Sequence, residues 1–402
     1  MDDKYKSAAP TIRDGGRPAS LLGRAWLPAV DGPSVVTVRD GIVIDITSAK
    51  APTVRDVCEM PDPAAYVAAA PGKPVGPLQS LLEDSAIASA SSNPVDAAGR
   101  RERPWLLAPI DLQAIKASGV TFVVSLLERV IEEQAKGSPE KAVSIRRDIH
   151  QLIGEDLSKL VPGSPQAMQV RQALIAKGVW SQYLEVGIGP DPEIFTKAQP
   201  MSAVGPGADI GILSTSTWNN PEPEIAVVVS SEARIVGATL GNDVNLRDVE
   251  GRSALLLGKA KDNNASCSLG PFIRLFDDGF TLADVEQAEI SLTVDGTDGY
   301  RLEGASSMNR ISRSPAQLVA AATGANHQYP DGFVLFLGTM FAPIQDRHAP
   351  GQGFTHEVGD VVGIATPALG RLVNRIRHCD DCPPWTYGVS HLMRSLAARR
   401  LF

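Results

Sequence analysis

Apolar positions change rhythm along the chain. Between Ser118 and Gln134, Val123, Leu126, Leu127, Val130 and Ile131 recur at the three- and four-residue spacing that lines one face of a helix. Two further amphipathic stretches, Pro139 to Leu160 and Pro165 to Trp180, predict helices as well. After Trp180 the apolar residues come in short runs between turn residues, which predicts strands at Asp209–Leu213, Glu224–Val229, Phe272–Phe276, Glu289–Val294, Phe333–Leu337 and Val361–Thr366. Ahead of the helices, β-branched runs at Ser34–Val38 and Gly41–Ile46 flank Asp40-Gly41, a pair suited to a two-residue hairpin turn.

These runs predict an α+β fold. Residues 1–20 read as a disordered N-terminus, and 21–104 as a small N-terminal β module with a linker, the Ala-, Ser-, Pro- and Gly-rich stretch from Pro61 to Pro104 acting as connector. Residues 105–402 read as the main domain, with a helical insertion at about 125–180 placed over one end of its strands.

Composition adds limits. With 43% hydrophobic and 21% charged residues in 402, the chain can bury a large core. A net charge of -8 argues against nucleic acid or an anionic membrane as partner, and a small anionic substrate would need locally placed cations. The first residues hold acidic groups and no apolar run, so neither a secretory signal nor a membrane span is expected and the protein reads as cytoplasmic. Four cysteines make no disulfide framework. Cys379 and Cys382 form a CxxC beside His378, which fits a reduced surface loop better than a zinc site because no second ligand pair accompanies it.

The chemistry starts with Glu222 and Glu224, two apart at the start of a strand and therefore on the same face. A solvated strand edge would also place them so. Asp243, in Gly241-Asn-Asp-Val-Asn-Leu-Arg-Asp248, favours a hard-oxygen site with open positions, for which Mg²⁺ is the expected ion and Mn²⁺ or Ca²⁺ conceivable substitutes. Lys261 fits either a buried catalytic lysine or a surface lysine, since Lys259 lies two residues away. His327 and Tyr329 fit either contacts to substrate hydroxyls or a structural pair.

Glu222-x-Glu224, then Asn242-Asp243-x-x-x-Arg247-Asp248, then Lys261 ahead of Leu269-Gly-Pro271, then Leu337-Gly-Thr339 resemble the ordered motifs of the fumarylacetoacetate hydrolase superfamily over about residues 105 to 378. The resemblance implies a mixed-sheet β-roll with a helical lid region, assembled as a homodimer or higher homo-oligomer. It implies that Glu222, Glu224 and Asp243 hold the metal, and that Arg247, Lys261 and Thr339 face a small 2-keto acid, with Gly338, Lys197 and Glu250 beside them. Next to a divalent cation and partly desolvated, Lys261 is expected to have a lowered pKa.

Hydrolytic members of this family resemble one another in a segment Gly-x-Asn-Tyr-x-x-His-x-x-Glu, whose His-Glu pair activates water. The matching run here is Gly119-Val-Thr-Phe-Val-Val-Ser125-Leu-Leu-Glu128, with serine at the histidine position. A serine without a neighbouring base is no general base near neutral pH. The chain resembles instead the sugar-acid dehydratases of the superfamily, in Trp180–Asp191, Glu193-Ile-Phe-Thr-Lys197, Lys259–Cys267 and His327–Asp331. That implies a hydro-lyase of pentose catabolism converting a 2-keto-3-deoxypentonate to 2-oxoglutarate semialdehyde. Lys261 would take the C3 proton, and Glu193, or as second choice Glu128, would protonate the leaving hydroxyl. Two alternatives stay open: a C–C bond hydrolase of 2,4-diketo acids, and a non-catalytic protein that binds metal and keto acid.

Overall fold

The computed structural model describes residues 8, 19–90, 103–136, 138, 141, 160–176, 178, 180–339, 341, 343, 345–349 and 353–402. Two sheets organise them. The larger, eleven-stranded sheet runs in the order Lys73–Pro77, Ile42–Asp45, Gly32–Arg39, Leu21–Leu27, Cys267–Leu275, Ile235–Asp243, Pro223–Val229, Phe333–Phe336, Ala114–Gly119, Glu193–Ala198, with Trp105–Leu107 paired to Leu21–Leu27. A five-stranded sheet has the order Arg301–Ser307, Glu289–Asp295, Val361–Thr366, Gly370–His378, Asp209–Ile212. Each of the two contains one parallel pairing among antiparallel ones, so both are mixed.

The central strand Pro223–Val229 is buried at every position because both of its faces are covered. Ile225, Val227 and Val229 pack in one core with Leu292, Val294 and Ile364 of the second sheet, while Ala226 and Val228 pack in another with Val54, Val57 and Ile273. The expected α+β class and mixed β-roll are what the chain adopts.

Asp40 and Gly41 turn the predicted hairpin with φ of 50° and 76°, the left-handed pair that a type I′ turn requires. The module they belong to is not free-standing, however. Leu22 pairs with Ile273, so the N-terminal strands extend the central sheet. Nor is Pro61–Pro104 merely a connector: helix Pro63–Ala69, capped by the Asp62 side chain, strand Lys73–Pro77 and helix Leu78–Ala90 lie within it. The predicted helix at Ser118–Gln134 begins at Val123, because Ser118 and Gly119 end a strand and Val120, at φ 47°, turns the chain out of it. Helix Pro165–Ala176 forms, whereas the helix expected at Pro139–Leu160 and the disorder expected at 1–20 lie almost wholly outside the described residues. Strands Ile235–Asp243, Arg301–Ser307 and Gly370–His378 were not expected; their Gly, Ser and Arg content breaks the alternation that marks a strand. No helix among the described residues is long and apolar enough to cross a membrane.

Candidate metal-dependent active site

Strand pairing builds the acidic centre. Pro223 opposes Asn242 and Glu224 opposes Gly241 across the ladder, which brings Asp243 level with Glu222. The Asp243 amide donates to the Glu222 carbonyl at 3.1 Å, and Asn242 Oδ1 accepts from the Glu222 amide at 3.0 Å. Glu222, Glu224 and Asp243, all buried, offer ligand oxygens within 4.8 Å of one another. Gly338 fixes the second of these carboxylates in place: its amide donates to Glu224 Oε2 at 2.7 Å from a left-handed φ of 98°, where a Cβ would strike Thr121.

These residues line a buried cavity together with Ser118, Gly119, Val120, Arg129, Glu193, Phe195, Glu250, Lys261 and Thr339. Lys261, at the end of the short helix Leu257–Lys261, donates to Glu222 Oε2 at 2.5 Å and to Asp243 Oδ2 at 3.1 Å. It is the buried lysine of the pair, and Lys259 is exposed. Lys197 lies behind the wall, 2.9 Å from Asp243 Oδ1, and also donates to the Val244 and Lys261 carbonyls. It therefore does not pair with Glu193. Glu193 points to the same face of its strand as Phe195 and Lys197, pressed so close to Gly119 that a Cβ there would collide with it.

Electrostatics separates the carboxylates. Burial, Asp243 and Glu222 push Glu224 well above the ordinary range. Asp243 loses charge stability to burial but is held below the ordinary range by Lys197 and Lys261. Burial, helped by Glu250, raises Glu193 to about 7. The expected lowering of Lys261 is reversed in the structure: burial does oppose its charge, yet Asp243, Glu222 and Glu250 outweigh it and raise the ammonium pKa. Five carboxylates (Glu193, Glu222, Glu224, Asp243, Glu250) face three cations (Arg129, Lys197, Lys261), a formal excess of two negative charges. A divalent cation fits that donor set in both charge and ligand hardness.

Other expected residues are placed differently. Arg247 is buried but off the cavity wall: it donates to Asn220 Oδ1 at 2.8 Å and the Pro343 carbonyl at 3.2 Å, over the Trp218 ring at 5.5 Å. The guanidinium on the wall is that of Arg129, which pairs with Glu222 and reaches Glu250 at 3.3 Å. Arg129 lies one residue beyond Glu128 in the run compared with the hydrolases, and an arginine on a helix face gives no further sign in the sequence. Glu128 is buried, not solvated, and does not line the cavity. Ser125 falls in helix Val123–Ala135. His327 is exposed and packs edge-on to Tyr329 at 4.7 Å, away from the cavity lining. Cys379 and Cys382 are both free and lie in a surface turn whose Asp380, Asp381 and Pro383 are exposed, as the reduced-loop reading expects, although Cys382 itself points inward; burial pushes their thiols up to about 11 and about 12, which disfavours the thiolates that zinc needs.

Residues 180–377 match the fumarylacetoacetate (FAA) hydrolase C-terminal family. The chain carries a fumarylacetoacetate hydrolase domain. It is 34% identical over 194 residues to the probable 2-keto-3-deoxyxylonate dehydratase of Haloferax volcanii, covering 48% of this chain and 63% of that one. To the 2-dehydro-3-deoxy-D-arabinonate dehydratase of Saccharolobus solfataricus it is 32% identical over 186 residues, covering 46% and 59%. The match thus takes in less than two thirds of either relative. Solved structures of 2-keto-3-deoxy-D-arabinonate dehydratase share the fold over 89% of this chain and 99% of theirs. The TM-score is 0.60 at 22% identity for the apo form and 0.59 at 21% for the form complexed with magnesium and 2,5-dioxopentanoate. All three proposed ligands of the fumarylacetoacetate hydrolase domain, and Lys261, fall inside the matched residues.

Proposed function

We propose that the protein is a Mg²⁺-dependent hydro-lyase of a 2-keto-3-deoxy sugar acid, with 2-keto-3-deoxy-D-xylonate as the substrate to try first and 2-oxoglutarate semialdehyde as product. The observation that carries the proposal is one cavity holding a three-carboxylate set, a buried lysine on that set, and a carboxyl raised to about 7. The dehydratase names of both relatives support it, as does the neighbour bound to 2,5-dioxopentanoate, which is 2-oxoglutarate semialdehyde. Among the described residues no histidine lines the cavity, which favours dehydration over hydrolysis, since C–C hydrolysis needs a base for water.

A divalent cation on Glu222, Glu224 and Asp243 would bind the keto acid and stabilise charge at its C2 oxygen, and by offsetting Asp243 and Glu222 it would let burial move Lys261 toward the neutral amine. Lys261 Nζ then takes a C3 proton. Glu193, protonated, gives its proton to the C4 hydroxyl, which leaves as water with the C4–O bonding pair. The C3–C4 alkene shifts to a C4–C5 enol by losing a proton at C5 and gaining one at C3, and the enol ketonises to the aldehyde. Thr339 and the Gly119–Val120 edge bound the substrate's path. A homo-oligomer in the cytoplasm belongs to the same reading and rests on the family resemblance.

The test is to strip the protein with EDTA, add back Mg²⁺, and assay a panel of 2-keto-3-deoxy sugar acids for the aldehyde. Activity is expected only with cation, with Mn²⁺ and Ca²⁺ as the substitutes to compare. Cleavage of an acylpyruvate with no water lost from any sugar acid would promote the hydrolase instead, and full turnover by metal-depleted protein would end the metal assignment.

A further inference from the structure

Both oxygens of Glu222 are already engaged by side chains. Arg129 holds Oε1 and Lys261 holds Oε2 at 2.5 Å, with the Arg129 and Glu222 side chains only 9% and 3% exposed. Lys197 and Lys261 are anchored otherwise: Lys197 to Asp243 and two carbonyls, Lys261 to Asp243 as well. Arg129 differs in being forked between a ligand carboxylate and a carboxylate outside the ligand set, Glu250, 3.3 Å from its other terminal nitrogen.

From this arrangement we infer that Arg129 is a built-in counter-ion that competes with the divalent cation for Glu222 and, when the cation binds, shifts onto Glu250 and turns toward the entering keto acid. The inference rests on the metal-site reading above. An arginine cannot shed its charge, so guanidinium and cation cannot share Glu222 without repulsion. Glu250 supplies the landing place, so the exchange is a shift within an existing fork. The helix that carries Arg129, Val123–Ala135, packs through Leu126, Val130 and Ile131 into a core of its own with Leu174 and Leu184, separate from the two cores that hold the ligand strands. Arg129 is a positioning residue in this account: it offsets part of the acidic centre's charge until the cation arrives, and it couples cation binding to anion binding.

The test compares wild type with Arg129→Met in two titrations: Mn²⁺ followed by the loss of its free paramagnetic signal, and pyruvate followed by calorimetry at saturating Mn²⁺. Removing the competitor should tighten Mn²⁺ about tenfold and, with the guanidinium gone, weaken pyruvate about tenfold. A merely structural role would weaken both. If Arg129→Met folds only when cation is present, that supports the inference, because the cation is then replacing the guanidinium. If it folds under neither condition, Arg129→Lys decides: a single ammonium cannot span Glu222 and Glu250, so Mn²⁺ should still bind several-fold tighter than to wild type. Mn²⁺ affinity unchanged or weaker in the variant that folds overturns the inference and leaves the metal site standing. Failure of the wild type to bind Mn²⁺ at all overturns both.

Discussion

The acidic centre and the groups that surround it reach the cavity by different routes. Glu224 and Asp243 lie on adjacent antiparallel strands, with Glu222 at the mouth of the first, and their separation is fixed by a register of backbone hydrogen bonds. Arg129, Lys261 and Glu193 arrive from a helix, a five-residue helical turn and the sheet's last strand, each placed by packing between distant segments. On the proposed reading, the strand-borne carboxylates form the metal platform and the separately placed side chains a ring around it. The site's chemistry should then be sensitive to the ring, residue by residue.

Lys261 is where the expected effect is largest. It is carried by a helical turn but clamped by two platform carboxylates, and Lys261→Met should not weaken cation binding while lowering kcat by about 10² to 10⁴. Lys259→Met, on the exposed side of the same turn, should change kcat by less than about twofold. Equal effects of the two substitutions would mean that the turn matters and the buried amine does not.

Glu193 tests the next layer. Because its carboxyl is raised to about 7 and must be protonated to donate, kcat should fall as pH rises through about 7, and Glu193→Gln should both flatten that limb and cost about 10² or more in rate. A pH limb that survives in Glu193→Gln belongs to another group, and Glu128, buried on helix Val123–Ala135, would be the next to replace.

The same division explains what could be read from the sequence. A Glu-x-Glu at a strand start and an Asp near the end of the neighbouring strand declare themselves because strand periodicity is local: two residues apart means one face. The hairpin at Asp40-Gly41 was legible for the same reason, as both residues tolerate the left-handed backbone its turn needs. Arg129 was not, because a helix periodicity tells which face is buried and not which distant carboxylate it meets. The field at Lys261 differs in sign from expectation for a related reason, since it depends on three carboxylates, Asp243, Glu222 and Glu250, converging from separate segments. Strand Ile235–Asp243 escaped notice although it carries a proposed ligand, because Gly237 and Gly241 interrupt its pattern; at Gly241 a side chain would collide with the Phe336 ring.

Arg247 offers the smallest expected effect on turnover and the sharpest separation of motif from geometry. By resemblance it faces the substrate; in the structure it contacts Asn220, the Pro343 carbonyl and the Trp218 ring, none of which lines the cavity. Arg247→Lys keeps the charge but loses the planar fork, so a substrate-binding role and a scaffolding role give different readings. Scaffolding predicts a lower Tm, reflecting loss of about 1 to 3 kcal/mol of buried hydrogen bonding, with kcat/KM of the folded protein within about tenfold of wild type. A substrate role predicts the reverse: an unchanged Tm and a KM raised by about a hundredfold or more, as expected when a charge-assisted pair to a carboxylate is lost. The second result would move the anion-binding site from the helix-borne Arg129 to the residue that directly follows strand Asn245–Leu246, and make the platform itself, not its surrounding ring, the part that recognises substrate.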